Sequence, residues 1–149
     1  MAGTKLGDKS MEDLTDCFRE QDMQLTSLDV SQNCITSAGF FRLMVCLKTN
    51  NKVASLNVSR NDLAKDVKNF KFVQQFLSQN KILENLNLSF CEIRADCGHF
   101  IGKGLRGNRN LQVLNLKGNA LQKSVVEIAK AFVVNTQALC LKELDLGKN

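Results

Sequence analysis

Few side chains in this chain could do chemistry. The only histidine, His99, leaves no paired-histidine metal site, and no serine-histidine-carboxylate constellation is expected around it. The nearest thiols, Cys91 and Cys97, match no zinc-ligand spacing. No catalytic residue, cofactor or metal is therefore expected. The segment Gly102-Lys103-Gly104-Leu105-Arg106-Gly107 spells G-x-G-x-x-G, a phosphate-cradling pattern when a strand precedes it and a helix follows. Here the order is reversed: a helical stretch ends there and runs on into an apolar segment at Leu111, so the glycines are expected to terminate a helix and allow a turn. An arginine finger that stabilises charge on a transferring phosphoryl group is the remaining enzymatic option, with Arg60 and Arg94 as its candidates.

The elements that would position these residues follow from one spacing, L-x-x-L-x-L-x-x-N/C-x-L. It recurs as Leu25-Leu28-Val30-Asn33-Ile35, Val53-Leu56-Val58-Asn61-Leu63, Leu83-Leu86-Leu88-Cys91-Ile93, Leu111-Leu114-Leu116-Asn119-Leu121 and Leu141-Leu144-Leu146-Asn149, with starts 28, 30, 28 and 30 residues apart. The period-two core of each copy reads as a short strand with one buried face. The asparagine follows where that strand must turn, so its amide can pair backbone groups the turn leaves open, and Cys91 takes that place once. Between copies the apolar period becomes helical, in Phe40-Leu43-Met44-Leu47, Phe70-Val73-Leu77, Cys97-Ile101-Leu105 and Val125-Ile128-Ala129-Phe132. Asn50, Asn80 and Asn108 each stand three residues before a copy. The fourth unit breaks that rule at Asn135 and places extra residues at 136–140; the second places its own in the Lys65 to Lys71 stretch.

This skeleton resembles the leucine-rich repeat, and its period near 29 resembles the ribonuclease-inhibitor-like subclass. The resemblance covers residues 25–149 and implies an α/β solenoid: a right-handed βα horseshoe segment with a parallel sheet on the concave face and helices on the convex face. Four full repeats and the start of a fifth are expected. Residues 1–24 do not fit the repeat. Met11-Leu14-Phe18 and the capping-box pattern from Ser10 to Asp13 point to a capping helix over residues 10–20. The apolar strand motif at Asn149 is expected to be covered by further repeats, a partner or a second copy. Related arrays serve the ribonuclease inhibitor, the Ran GTPase-activating protein, NOD-like receptors and axonemal proteins, so the resemblance implies a fold and not a task.

Composition narrows the rest. The chain has 149 residues, no proline, tryptophan or tyrosine, and no membrane-length apolar run. Residues 1–24 carry three basic and six acidic side chains, whereas the repeats carry seventeen and nine. A basic body favours an acidic partner by steering, while no aromatic residues interleave with the basic ones as in a nucleic-acid module. The six cysteines show no C-x-x-C pair and read as small buried hydrophobes in a reducing cytoplasm. His99 is expected on the exposed side of its helix. The outward strand positions Asp29, Asn57, Asn87, Asn115 and Asp145 are small and polar, a surface poor in anchors. The strand-exit rim adds Gln32, Arg60, Phe90, Lys117 and Gly118. Phe90 reads equally as an exposed anchor or as a ring packed under a neighbouring loop. The expected function is a non-enzymatic protein-protein interaction scaffold within a larger assembly, with a cytoskeletal or ciliary setting implied by the resemblance. GTPase regulation is the alternative, and ribonuclease inhibition a more distant one.

Overall fold

The computed structural model describes residues 2–20, 24–50, 52–134 and 140–149. Strands β1 (Ser27–Asp29), β2 (Ser55–Asn57), β3 (Asn85–Asn87), β4 (Val113–Asn115) and β5 (Glu143–Asp145) form one parallel sheet in chain order. Helices α1 (Gly7–Glu20), α2 (Ser37–Thr49), α3 (Val67–Gln79), α4 (Ala95–Leu105) and α5 (Val125–Val134) form the second layer. Leu28, Leu56, Leu86, Leu114 and Leu144 stand in one register across the sheet. The first four are buried, each burial contributing roughly 1.5–3 kcal/mol. Leu144 and Leu146 are half-buried, because no further turn of the solenoid lies beyond β5 among the described residues.

The interior asparagines form the expected ladder. Asn61 accepts the N–H groups of Asn33 and Ile35 at 2.9 and 3.0 Å and donates to Val30 O and Val58 O at 3.1 and 2.8 Å, tying two turns together. Asn119 repeats this with Cys91, Ile93, Leu88 and Leu116. The Cys91 thiol lies 3.3 Å from Val58 O and 3.4 Å from Ser89 O, so one hydrogen is shared between two carbonyls. Burial pushes that thiol up to about 12, which keeps it protonated and able to donate. A second amide row closes the helix-to-strand turns: Asn50, Asn80 and Asn108 each accept two N–H groups from the two or three residues that follow.

The structure departs from sequence expectation in four places. The first helix begins at Gly7, and Ser10 lies inside it, not at its cap. Residues 3–6 make the same strand-exit turn as the repeats. Gly3 and Lys5 have φ of 71° and 56°, like Gln32 and Cys34 at 57°. Thr4 N and Leu6 N donate to Asn33 Oδ1 just as Asn33 N and Ile35 N donate to Asn61. With threonine in the asparagine place, the turn does not match the leucine pattern. Third, Ala129 and Phe132 face outward and the stripe of α5 is Ile128 and Ala131, because a 3-10 turn over Gln122–Ser124 resets the helical phase. Residues 135–139, most of the expected extra segment, lie outside the described residues.

The fourth departure is α4. Gly102 and Gly104 lie within the helix and do not end it. A Cβ at Gly102 would stand 2.6 Å from the Glu127 carbonyl carbon, and one at Gly104 would stand 2.8 Å from Leu77 Cβ. The glycines therefore let α5 and α3 press against opposite sides of α4. The G-x-G-x-x-G spelling comes from helix packing and makes no phosphate loop.

Candidate partner-binding rim

Each strand is followed by a turn in which the residue just before the asparagine or cysteine place adopts a left-handed backbone: Gln32, Arg60, Phe90, Gly118 and Lys148 have φ between 55° and 68°. Only Gly118 does so without a Cβ penalty, which for the others is about 1 kcal/mol each. The cause is local. Asp29, Asn57, Asn87, Asn115 and Asp145 turn their Oδ1 onto the N–H two residues ahead, at 2.8–3.1 Å, and fold the chain back after the strand. These outward residues thus share one structural duty. Asn57 Nδ2 also donates to Asp29 Oδ2 at 3.0 Å. Partial burial works against the Asp29 carboxylate, but hydrogen bonds from Ser31 and Asn57 hold it below its ordinary value.

The rim gathers Arg60, Phe90 and Gly118 into one stack. A Cβ on Gly118 would collide with Phe90 Cε1, so the ring rests on the bare glycine backbone. The Arg60 guanidinium stands 4.6 Å from the ring centroid, within cation–π range. Phe90 is half-buried, combining both options read from the sequence: packed on one neighbour and open beside another. Lys117 supplies the backbone floor, its carbonyl accepting Phe90 N at 2.8 Å, and is itself half-buried. Cys34, Asp62 and Glu92, together with Gln32, Arg60, Asn61 and Phe90, line a hollow beside the stack. Sequence reading passed over these three, although each directly follows the asparagine or cysteine of its repeat and that spacing marks them.

The other singled-out residues are dispersed. Arg94 stands at the N-cap position of α4 without a side-chain cap bond and lines an apolar groove with Val67, His99, Phe100 and Val126, at the side where the helices begin. His99 is half-buried there, not on an open face, because α3 and α5 start late and leave the groove between them. Cys46, Cys91 and Cys97 are buried, but Cys17, Cys34 and Cys140 are exposed; Cys34 stands on the left-handed rim turn, where the side chain points outward. Among the described residues no three metal-ligating side chains gather, and no helix is long and apolar enough to cross a membrane.

Three comparisons bear on this architecture. The family described as Leucine Rich repeat matches residues 22–43 and 107–124. The chain is 28% identical over 137 residues to human (Homo sapiens) NACHT, LRR and PYD domains-containing protein 13; the match takes in 91% of this chain and 13% of that protein's length. The solved structure titled Leiomodin-1 Actin-Binding Site 2 (ABS2) superposes with a TM-score of 0.75 at 22% identity, over 91% of this chain and 78% of that one.

Proposed function

We propose, from the premise that this chain is a leucine-rich repeat protein, that it is a non-enzymatic interaction scaffold holding protein partners within a larger assembly. The observation that carries this reading is the Arg60–Phe90–Gly118 stack. Arginine and aromatic side chains are the usual anchors of binding surfaces, and here both occupy left-handed positions that a glycine would fill at lower cost. Asp29, Asn57, Asn87, Asn115 and Asp145 flank the stack as a polar, shape-determining floor, and Lys117 completes the rim. The half-buried Leu144 and Leu146 support a cover over β5 by further repeats, a partner or a second copy. Full helices between strands and the thiol in the asparagine row at Cys91 support the ribonuclease-inhibitor-like subclass. A cytoskeletal setting is supported by the likeness to a solved structure titled as an actin-binding site, and a ciliary one is its narrower form.

The test is isolation of the endogenous protein with mass spectrometry of what copurifies, repeated with Phe90→Ala. A protein held at fixed ratio and lost on substitution fits the scaffold. Transient contact with a GTPase, whose hydrolysis the chain stimulates and Arg60→Ala abolishes, replaces the scaffold by the regulator.

A further inference from the structure

We propose that the opposite edge, where helices end and strands begin, is a second docking surface, built for an acidic segment of a partner protein. This inference does not rest on the rim. Lys48 and Lys103 stand in the last turns of α2 and α4, where the negative end of the helix dipole is reason enough for a cation. Lys81 and Arg109 have no such reason. They lie in the turns that follow α3 and α4, are exposed, and enter none of the ion pairs among the described residues.

The two turns are held in fixed relation. Asn80 and Asn108 each close their own turn, Asn108 Nδ2 donates to Leu77 O at 2.6 Å, and Asn110 Nδ2 donates to Lys81 O at 2.7 Å. Gly107 keeps them close, since a Cβ there would lie 3.1 Å from Ser78 Cβ. Between them is a hollow of about 490 Å³ with Lys81 and Arg109 on its walls, the polar side chains of Gln79 and Asn110 beside them, and no carboxylate in its lining.

Charge complementarity selects the occupant. Two cations on a rigid, amide-rich hollow suit carboxylates, the guanidinium in bidentate fashion. Lys48 and Lys52 on the preceding turn extend the positive row, which suits several carboxylates along one peptide better than a single anion. A nucleic acid would carry enough charge, but no aromatic side chain lines the hollow to stack a base.

The experiment is fluorescence anisotropy of a labelled polyglutamate peptide with the full chain, at low and at physiological ionic strength. A labelled oligothymidylate of equal charge is run in parallel. Binding of the peptide is expected to weaken about tenfold in the Lys81→Gln/Arg109→Gln double variant. The control double variant Lys65→Gln/Lys68→Gln, which removes two exposed cations near the start of α3, is expected to change it less than about twofold. Equal loss in both variants would reduce the site to net charge and overturn the proposal. So would peptide binding unchanged in the first variant, no peptide binding at low salt, or the oligonucleotide binding as tightly as the peptide. Circular dichroism of both variants separates lost binding from lost folding.

Discussion

Arg60 and Asn61 are neighbours in the chain, yet they belong to rows of opposite character. The row containing Asn61 runs Asn33, Asn61, Cys91, Asn119, Asn149, and every member bonds a backbone carbonyl of its own turn, with links to neighbouring turns. The row containing Arg60 runs Gln32, Arg60, Phe90, Gly118, Lys148; all share a left-handed φ, and the first four give a backbone N–H to the next turn, which is a demand on the backbone and not on the side chain. Where the solenoid consumes a side chain's hydrogen bonds, residue type is nearly fixed; where it uses only the backbone, residue type is open to other uses. The difference separates what builds the repeat from what this particular repeat array can do.

The sharpest way to break that contrast is Asn61→Ala. It would strand Asn33 N, Ile35 N and Val30 O in a buried turn and leave Val58 O with the Cys91 thiol, at about 1–3 kcal/mol for each stranded group that water cannot reach. A loss of at least about 3 kcal/mol is expected in urea unfolding. A loss below about 1 kcal/mol would mean that the ladder is not what couples the turns.

The helix layer should rank next. Gly102→Ala places a methyl group against backbone atoms of Glu127 and Ile128 that have no rotamer to escape into. Overpacking costs about 1–3 kcal/mol and is only partly offset by the better helix propensity of alanine, so a net loss near 2 kcal/mol is expected. A gain in stability instead would mean that α5 yields to the methyl group and that the close approach of the two helices does not require a glycine.

Much of this was legible before any coordinates. Period-two leucines in Leu86-x-Leu88 and the asparagine after them gave strands, register and ladder, because each is a requirement that repeats and so shows itself by repetition. What escaped was set by single events. Thr4 stands in the asparagine place and gives its backbone N–H and its hydroxyl to Asn33 Oδ1, and the 3-10 turn at Gln122–Ser124 precedes a helix on which Phe132 is exposed. The rim was legible only as a set of positions. That Arg60 would lie over Phe90, and Phe90 on Gly118, depends on lateral packing between turns 28 to 30 residues apart, which no local pattern encodes.

The smallest expected effect on stability is the most informative for function. Arg60→Gly relieves the left-handed strain, about 1 kcal/mol, but gives the unfolded chain more freedom and removes a cation–π contact of about 0.5–1 kcal/mol. These terms oppose, and the variant should unfold within about 0.5 kcal/mol of the parent. Partner capture should nonetheless fall, because the guanidinium is gone and the Phe90 ring loses the group that lies over it. If capture survives while stability rises, Arg60 is only a tolerated strain and the rim loses its claim. If capture falls at unchanged stability, the two rows are separable: Asn61 serves the fold and Arg60 serves the partner, one residue apart.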